Sequence, residues 1–375
     1  MDFNYSDEQR MLRDSVDRYG LERWPAADRR TMLDQDAVTA KTRWCEMAEL
    51  GWLMLPIAEA DGGLGGGPVE VMAVMEAIGR HLIVAPYGAC CVLAPALIGG
   101  GGDPAAGILE GIGAGTLLAA AALLEADGGY DLHRVAARAE SGPAGWRLSG
   151  AKCHVEDGAD ADWFVVSARS AGAVDERDGV GLFLVPRDAD GLSVERFRAI
   201  DGHRHARLRL DNVPAVPVGD VEGGLPVIER AVDHVIAAQL AEATGSIEAA
   251  SAATLDHLRT RHQFGVAIGS FQVLQHRMVD MTVACEEARS MTYHATLNLH
   301  RDPIERGRAV AAGKVRVGEC GVYVGQQAVQ LHGGVGFSDE LIVSHHLRRQ
   351  MMLTLAHGPV DHHRARFAAA QVEPV

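Results

Sequence analysis

Cysteine pairs at metal or redox spacing are missing from this chain. Its six cysteines (Cys45, Cys90, Cys91, Cys153, Cys285, Cys320) contain no C-x-x-C and no zinc spacing. They read as buried, reduced thiols of a cytosolic protein. Positive charge is also scarce. With 35 Lys and Arg against 50 Asp and Glu the net charge is −15, which argues against nucleic acid or an anionic membrane as partner. An anionic small molecule stays admissible, because local arginine placement decides that. No apolar run reaches the ~18 residues of a membrane span. The polar, acidic opening MDFNYSDEQRMLRDSV does not read as a signal peptide. The expected location is the cytoplasm. Internal repeats and low-complexity tracts are absent as well.

What is present falls into three compositional regions. Residues 1–117 read as a helical domain. Ser6 followed by Gln9 predicts a capping box opening the first helix. Apolar spacing recurs at Trp44, Met47, Ala48, Leu50 and Trp52, and at Val69, Val71, Met72, Val74, Met75 and Ile78. The ADGGLGGGP stretch between them, with Pro68 placed for a first helical turn, reads as a flexible connector. A phosphate-holding loop is the alternative, but the spacing matches none. Residues 118–222 change character: WRLSGAKCHV, DWFVVSAR, GVGLFLVP and ARLRLDNV alternate in part and are separated by turns, which predicts an antiparallel β domain. Residues 223–375 are helical again. A very long helix from Leu225 to about Arg261 has few charges over most of its length and is expected to be buried nearly all round. Helices over about 272–300, 303–332 and 339–356 and a tail helix complete an antiparallel bundle.

Two glycine-bearing segments stand out in that helical region. Arg261 to Gln272, RHQFGVAIGSFQ, joins the long helix to the next, and Gln330 to Phe337, QLHGGVGF, ends a later one. Glycines there admit positive φ or close approach of a ligand or another chain. The arginine points to an anion, such as a phosphate.

These two segments, in the order helices, β domain, helices, resemble the acyl-CoA dehydrogenases, and the likeness spans essentially the whole chain. MDFNYSDEQRMLRDSV, LGWLMLPIAEADGGLGGGPVEVMAVMEAIGR and WRLSGAKCHVEDGADADWFVVSAR carry it through the first two regions. LPVIERAVDHVIAAQLAEATG and VLQHRMVDM resemble the small subunits of pimeloyl-CoA dehydrogenase-type enzymes more narrowly. The resemblance implies an α+β fold with an N-terminal α-helical domain, a middle antiparallel β domain and a C-terminal four-helix bundle. It implies FAD as cofactor, an acyl-CoA thioester oxidised to the 2-enoyl-CoA, and an electron-transfer flavoprotein as acceptor. Arg261 then corresponds to the arginine that reaches the FAD pyrophosphate of a neighbouring subunit. Phe264 corresponds to the aromatic beside the adenine half, and Gln272 to a glutamine on the cofactor. Gln330, Gly333 and Gly334 correspond to the segment meeting the adenosine part across the dimer, with Gly336 completing that turn. For Arg261 alone a surface salt bridge is the competing reading.

The chain departs from the family where the catalytic base belongs. The usual glutamate before a glycine after the fourth C-terminal helix is replaced by His357, before Gly358. The alternative position near the start of the long helix is Val235. Glu242, seven residues beyond Val235 and on roughly the same face, is the remaining carboxylate. Its neighbours Ala238, Leu240, Ala241 and Ala243 suggest a desolvated base; the competing reading is a buried glutamate paired with an Arg or His from another helix. His357 is the second candidate base. His362 and His363 read as surface or interface residues, and no metal site is expected. In the β domain only Glu125 remains of a Thr-Glu-Pro stretch. His154-Val155-Glu156 stands where the family's Trp-x-Thr meets the flavin ring, so a Glu near the flavin would disfavour its reduction. Small residues along the long helix (Ala237, Ala238, Ala241, Ala243, Gly245) allow a wide pocket or close helix packing.

Three functions follow as expectations. One is a FAD-dependent acyl-CoA dehydrogenase, active alone as a homo-oligomer or within an assembly. Another is a non-catalytic partner subunit of an α2β2 heterotetramer that completes the FAD site of the active subunit. The third, a flavin oxidase or monooxygenase on the same scaffold, has no residue pointing to it.

Overall fold

The computed structural model describes residues 4–34 and 37–370. In chain order the helices α1 (Asp7–Arg23), α2 (Arg29–Leu33), α3 (Ala37–Glu49), α4 (Pro68–His81), α5 (Ala94–Ile98) and α6 (Ala105–Gly113) come first. Strands β1 (Ala119–Ala122), β2 (Arg138–Gly142), β3 (Gly145–Val155), β4 (Trp163–Arg169), β5 (Val180–Pro186), β6 (Leu192–Arg198) and β7 (Arg204–Val218) follow. Then come α7 (Leu225–Thr260), the short strands β8 (His262–Gln263) and β9 (Val266–Ala267), and α8 (Gln272–Leu297), α9 (Pro303–His332), α10 (Ile342–Leu355) and α11 (Val360–Ala369). No described helix is long and apolar enough to cross a membrane. The chain forms two compact units: Met1–Gln35, Pro68–Val84 and Ile236–Val375 in the first, Asp36–Gly67 and Ala85–Val235 in the second.

In the first unit the predicted capping box opens α1. Ser6 Oγ accepts from the Gln9 amide, and the Ser6 amide donates to Gln9 Oε1. Arg80 and His81 at the end of α4 both hold Asp17 of α1, at 2.6 and 2.9 Å. From Ala231 to Ala250, α7 is buried nearly all round. In this unit it crosses α4 at close range. A Cβ at Gly79 would fall well inside contact distance of the Glu242 carbonyl oxygen, and one at Gly245 equally close to that of Glu76. The two helices therefore touch backbone to backbone, the close packing that small residues on α7 permit. The face of α10 that meets α7 is polar. His346 Nδ1 lies 2.8 Å from Ser246 Oγ, and Gln350 donates to the Ala243 carbonyl at 2.9 Å.

In the second unit the strands close into a ring: β4 pairs β5, β5 pairs β7, β7 pairs β3, β3 pairs β2, and β2 returns to β4. The expected antiparallel domain holds for most pairings. The exceptions are β1, which runs parallel to β4 through Ala119↔Trp163 to Ala122↔Val166, and the Arg138↔Arg169 contact of β2 with β4. Phe164, Val166, Phe183, Val185, Leu148, Leu208 and Leu210 fill the interior. A buried charge pair sits beside them. Lys152 Nζ donates to Glu125 Oε1 at 2.7 Å and to Ser167 Oγ at 3.0 Å, while the amides of Ala136 and Ala137 supply the rest of the glutamate's partners. Satisfied on all sides, Glu125 is a structural residue of this barrel.

Two outcomes test the α4–α7 contact. Alanine favours a helix over glycine by about 1 kcal/mol, yet overpacking against a backbone costs about 1–3 kcal/mol or more. Gly245→Ala is therefore expected to lower stability by about 2 kcal/mol, read as an earlier urea midpoint. Beside the crossing, burial and then the Glu248 carboxylate push Glu76 up from 4.5 to about 7, with a Tyr5 hydrogen bond and then Arg289 and Arg80 only partly offsetting them. Because the folded pKa is the higher one, the folded protein keeps a proton that the unfolded chain loses, and stability declines as pH rises through that window. Glu76→Gln should gain stability over the wild type at about pH 8 and differ little at about pH 4, read by chemical denaturation at the two pH values.

Candidate functional site

The segment after α7 is a β-hairpin. His262 pairs with Ala267 and Gln263 with Val266, which leaves Phe264-Gly265 as a two-residue tip. Both tip residues take positive φ, +54° and +80°, as the tightest hairpin turns require. Asn or Gly normally fills the first of these positions; here a phenylalanine does, 91% exposed. Phe271 meets its ring edge-on at 6.1 Å. Arg261 and Gln272, at the two ends of the segment, are exposed. The single turn Ile268–Ser270 folds back on α7 at Gly269, where a Cβ would crowd the Leu258 carbonyl.

The second segment also follows directly on a helix end. The last residues of α9 lead into a turn at Gly333–Phe337. Gly333 takes φ +69° and ψ −150°, a region closed to residues with a Cβ. Neither Gly333 nor Gly334 has any atom within 4 Å of an added Cβ. Gly336 packs against the Val329 carbonyl and the His332 side chain. Gln330 is exposed and Phe337 is 78% exposed. The donor set of these two segments is a guanidinium, two amide side chains, open glycine backbone and an aromatic face. That set fits the diphosphate and adenosine half of FAD. One feature was not anticipated: His257 and His332, at the ends of α7 and α9, stack with ring centroids 4.2 Å apart.

Both candidate bases have definite surroundings. Glu242 is 3% exposed, and its apolar sequence neighbours do not describe its environment. Arg349 of α10 grips both carboxylate oxygens, Nε to Oε1 at 2.6 Å and Nη2 to Oε2 at 2.8 Å. This is the paired arrangement of the two weighed for it. Val235 is buried and apolar. His357 is half-buried in the turn between α10 and α11 with φ +54°, followed by Gly358 at φ +115°. His363 of α11 is buried, contrary to a surface reading, and its Nε2 donates to the His357 carbonyl at 3.0 Å. Burial, with Lys314 second, holds His363 down to about 3, so this ring is neutral.

In the β domain His154 and Asp157 both take positive φ, +50° and +51°. Two further histidines pin this loop. His203 Nδ1 holds Asp157 Oδ1 at 2.9 Å, and His205 Nδ1 accepts from the Asp157 amide at 3.1 Å. The His154 ring lies 5.0 Å from that of His205 and 6.4 Å from Phe197. The His-x-His pattern at the start of β7 was the available signal. Residues two apart on a strand share a face.

Comparison with known proteins agrees with this architecture. Residues 6–104, 120–213 and 222–372 match, in order, the N-terminal, middle and C-terminal domains of acyl-CoA dehydrogenases. The chain belongs to the acyl-CoA dehydrogenase family, FAD-dependent oxidoreductases acting on CH–CH bonds. It is 27% identical over 379 residues to the probable acyl-CoA dehydrogenase YngJ of Bacillus subtilis, covering 98% of this chain and 99% of the relative. It is 28% identical over 317 residues to the probable acyl-CoA dehydrogenase FadE25 of Mycobacterium tuberculosis, 80% of this chain and 79% of that one. Among solved structures it is similar to a variant of the Tcur3481–Tcur3483 steroid acyl-CoA dehydrogenase, with TM-score 0.87, 26% identity and 97% of both chains covered.

The hairpin tip makes a measurable trade. A non-glycine residue held at positive φ costs of order 1 kcal/mol, more for a bulky side chain than for asparagine. Phe264→Asn should therefore raise the thermal midpoint of the chain, a gain that keeping a phenylalanine at the tip forgoes.

Proposed function

We propose that this chain serves FAD-dependent dehydrogenation of an acyl-CoA thioester as one subunit of a heteromeric, α2β2 enzyme, and that it completes the FAD site of a neighbouring subunit. The observation that carries the reading is the hairpin tip: an aromatic ring held outward at strained backbone geometry beside an exposed arginine. Strain of this kind persists where function uses it, and the exposed apolar side chains of Phe264, Phe271, Val335 and Phe337 call for a covering surface. In this reading Arg261 faces the FAD pyrophosphate, Phe264 and Gln272 flank the cofactor, and Gln330, Gly333 and Gly334 meet its adenosine part. FAD, when bound, supplies the two-electron acceptor for the α,β-dehydrogenation.

Proton abstraction is assigned to the neighbouring subunit. Glu242 is already neutralised by Arg349, and breaking a buried pair of this kind costs about 3–5 kcal/mol. It therefore holds α7 to α10 instead of working as a base. The likeness to pimeloyl-CoA dehydrogenase-type small subunits supports the heteromeric reading, as does the paired naming of the steroid enzyme. The small-subunit likeness favours a bulky, ring-bearing or dicarboxylic acyl-CoA, the steroid enzyme a ring-bearing one, and the family resemblance implies an electron-transfer flavoprotein as acceptor.

One observation favours a second reading. His357 is half-buried and fixed in its turn by His363, a placement suited to an imidazole base in a self-sufficient homo-oligomer. Visible spectra separate the two. The heteromeric reading expects a colourless chain when purified alone. Yellow colour should appear on co-expression with a longer homologue and be lost with Arg261→Ala. A chain that carries flavin by itself, bleached by acyl-CoA without oxygen and silenced by His357→Ala, would replace it with the second.

A further inference from the structure

The two cofactor-facing segments lie about seventy residues apart in sequence, and each folds back on the helix that precedes it. The turn at Gly269 closes on Leu258 of α7, and the turn at Gly336 closes on Val329 and His332 of α9. Each segment is thus built onto one helix end. The two helix ends meet through their imidazoles. His257 precedes Arg261 by one helical turn, and His332 stands between Gln330 and Gly333. Their rings are 4.2 Å apart and inclined by only 28°.

The hydrogen bonding fixes how the rings can behave. His332 Nδ1 lies 2.8 Å from the Ala328 carbonyl, which only accepts, so Nδ1 carries a proton and donates it there. Burial, then His332, then the Arg261 cation hold His257 below the usual histidine range. With its charged form disfavoured, the His257 ring can stack on its neighbour at this distance, where two imidazolium ions would repel.

We propose that His257 and His332 are positioning residues whose stack sets the spacing between the Arg261–Gln272 hairpin and the Gln330–Gly334 turn, so that both engage one FAD molecule. This rests on the reading that both segments hold FAD. Neither ring needs to touch the cofactor. Removing either ring removes the whole stack, so the two losses are not additive.

The test uses the assembled, flavin-containing enzyme and measures the FAD dissociation constant together with the thermal midpoint of the apo form. His257→Ala and His332→Ala are each expected to weaken FAD binding roughly tenfold, the scale of one aromatic pair. The double variant should be no weaker than the weaker single, and His257→Phe should restore binding by restoring the stack. Apo thermal midpoints need not track these losses, since Phe rescue and non-additivity are read from FAD binding alone. Additive losses, failure of the phenylalanine to rescue, or unchanged FAD binding in both alanine variants would overturn the proposal. Arg261→Ala is the control for the underlying reading. If it leaves FAD binding intact, the assignment of the segments to FAD fails. If it weakens binding while the histidine variants do not, only the positioning role fails.

Discussion

Much of the first unit depends on how closely α4 and α7 cross. Gly79 and Gly245 let each backbone rest against a carbonyl of the other, so the helices cannot separate without opening a void nor approach further. The contact fixes the rotation of α7. With Gly245 turned to α4, Glu242, Ala243 and Ser246 are available to Arg349, Gln350 and His346 of α10. A single steric constraint thereby places three polar contacts between α7 and α10, and it sets Glu242 against Arg349.

Buried charge is handled alike in both units. Glu242 with Arg349 and Glu125 with Lys152 are each removed from water, and each carboxylate has its oxygens occupied by geometry and not by solvent. Such pairs add little net stability compared with a well-packed apolar alternative, but a mispaired register would strand a charge. They act as locks on helix and strand alignment. Burial of a carboxylate is consequently a poor guide to reactivity here. The partner decides the role.

The sequence exposed most of the architecture because most of it is local. The capping box at Ser6, the periodicity of α4 and the uncharged length of α7 are all readable within a few turns. The strand β1 was not readable as part of a parallel pair: its four alanines carry no alternation, and its partner β4 begins more than forty residues later. The site divides in the same way. The glycine segments announced themselves by composition, and their positive-φ turns were foreseeable in kind. The fate of Glu242 was not, since Arg349 lies 107 residues away. The His257–His332 stack and the clamp of His203 and His205 on Asp157 also come from residues remote in sequence, and no spacing rule reports a contact across the fold.

The exposed phenylalanine at the hairpin tip has a consequence for the life of the chain in a cell. A protein that displays Phe264 and Phe337 openly resembles, to a chaperone or a protease, one that is partly unfolded. Covering those rings takes a neighbour. Under the heteromeric reading, copies made in excess of their partner remain marked for removal, and the amount of this subunit is set by the supply of the other without any dedicated regulator.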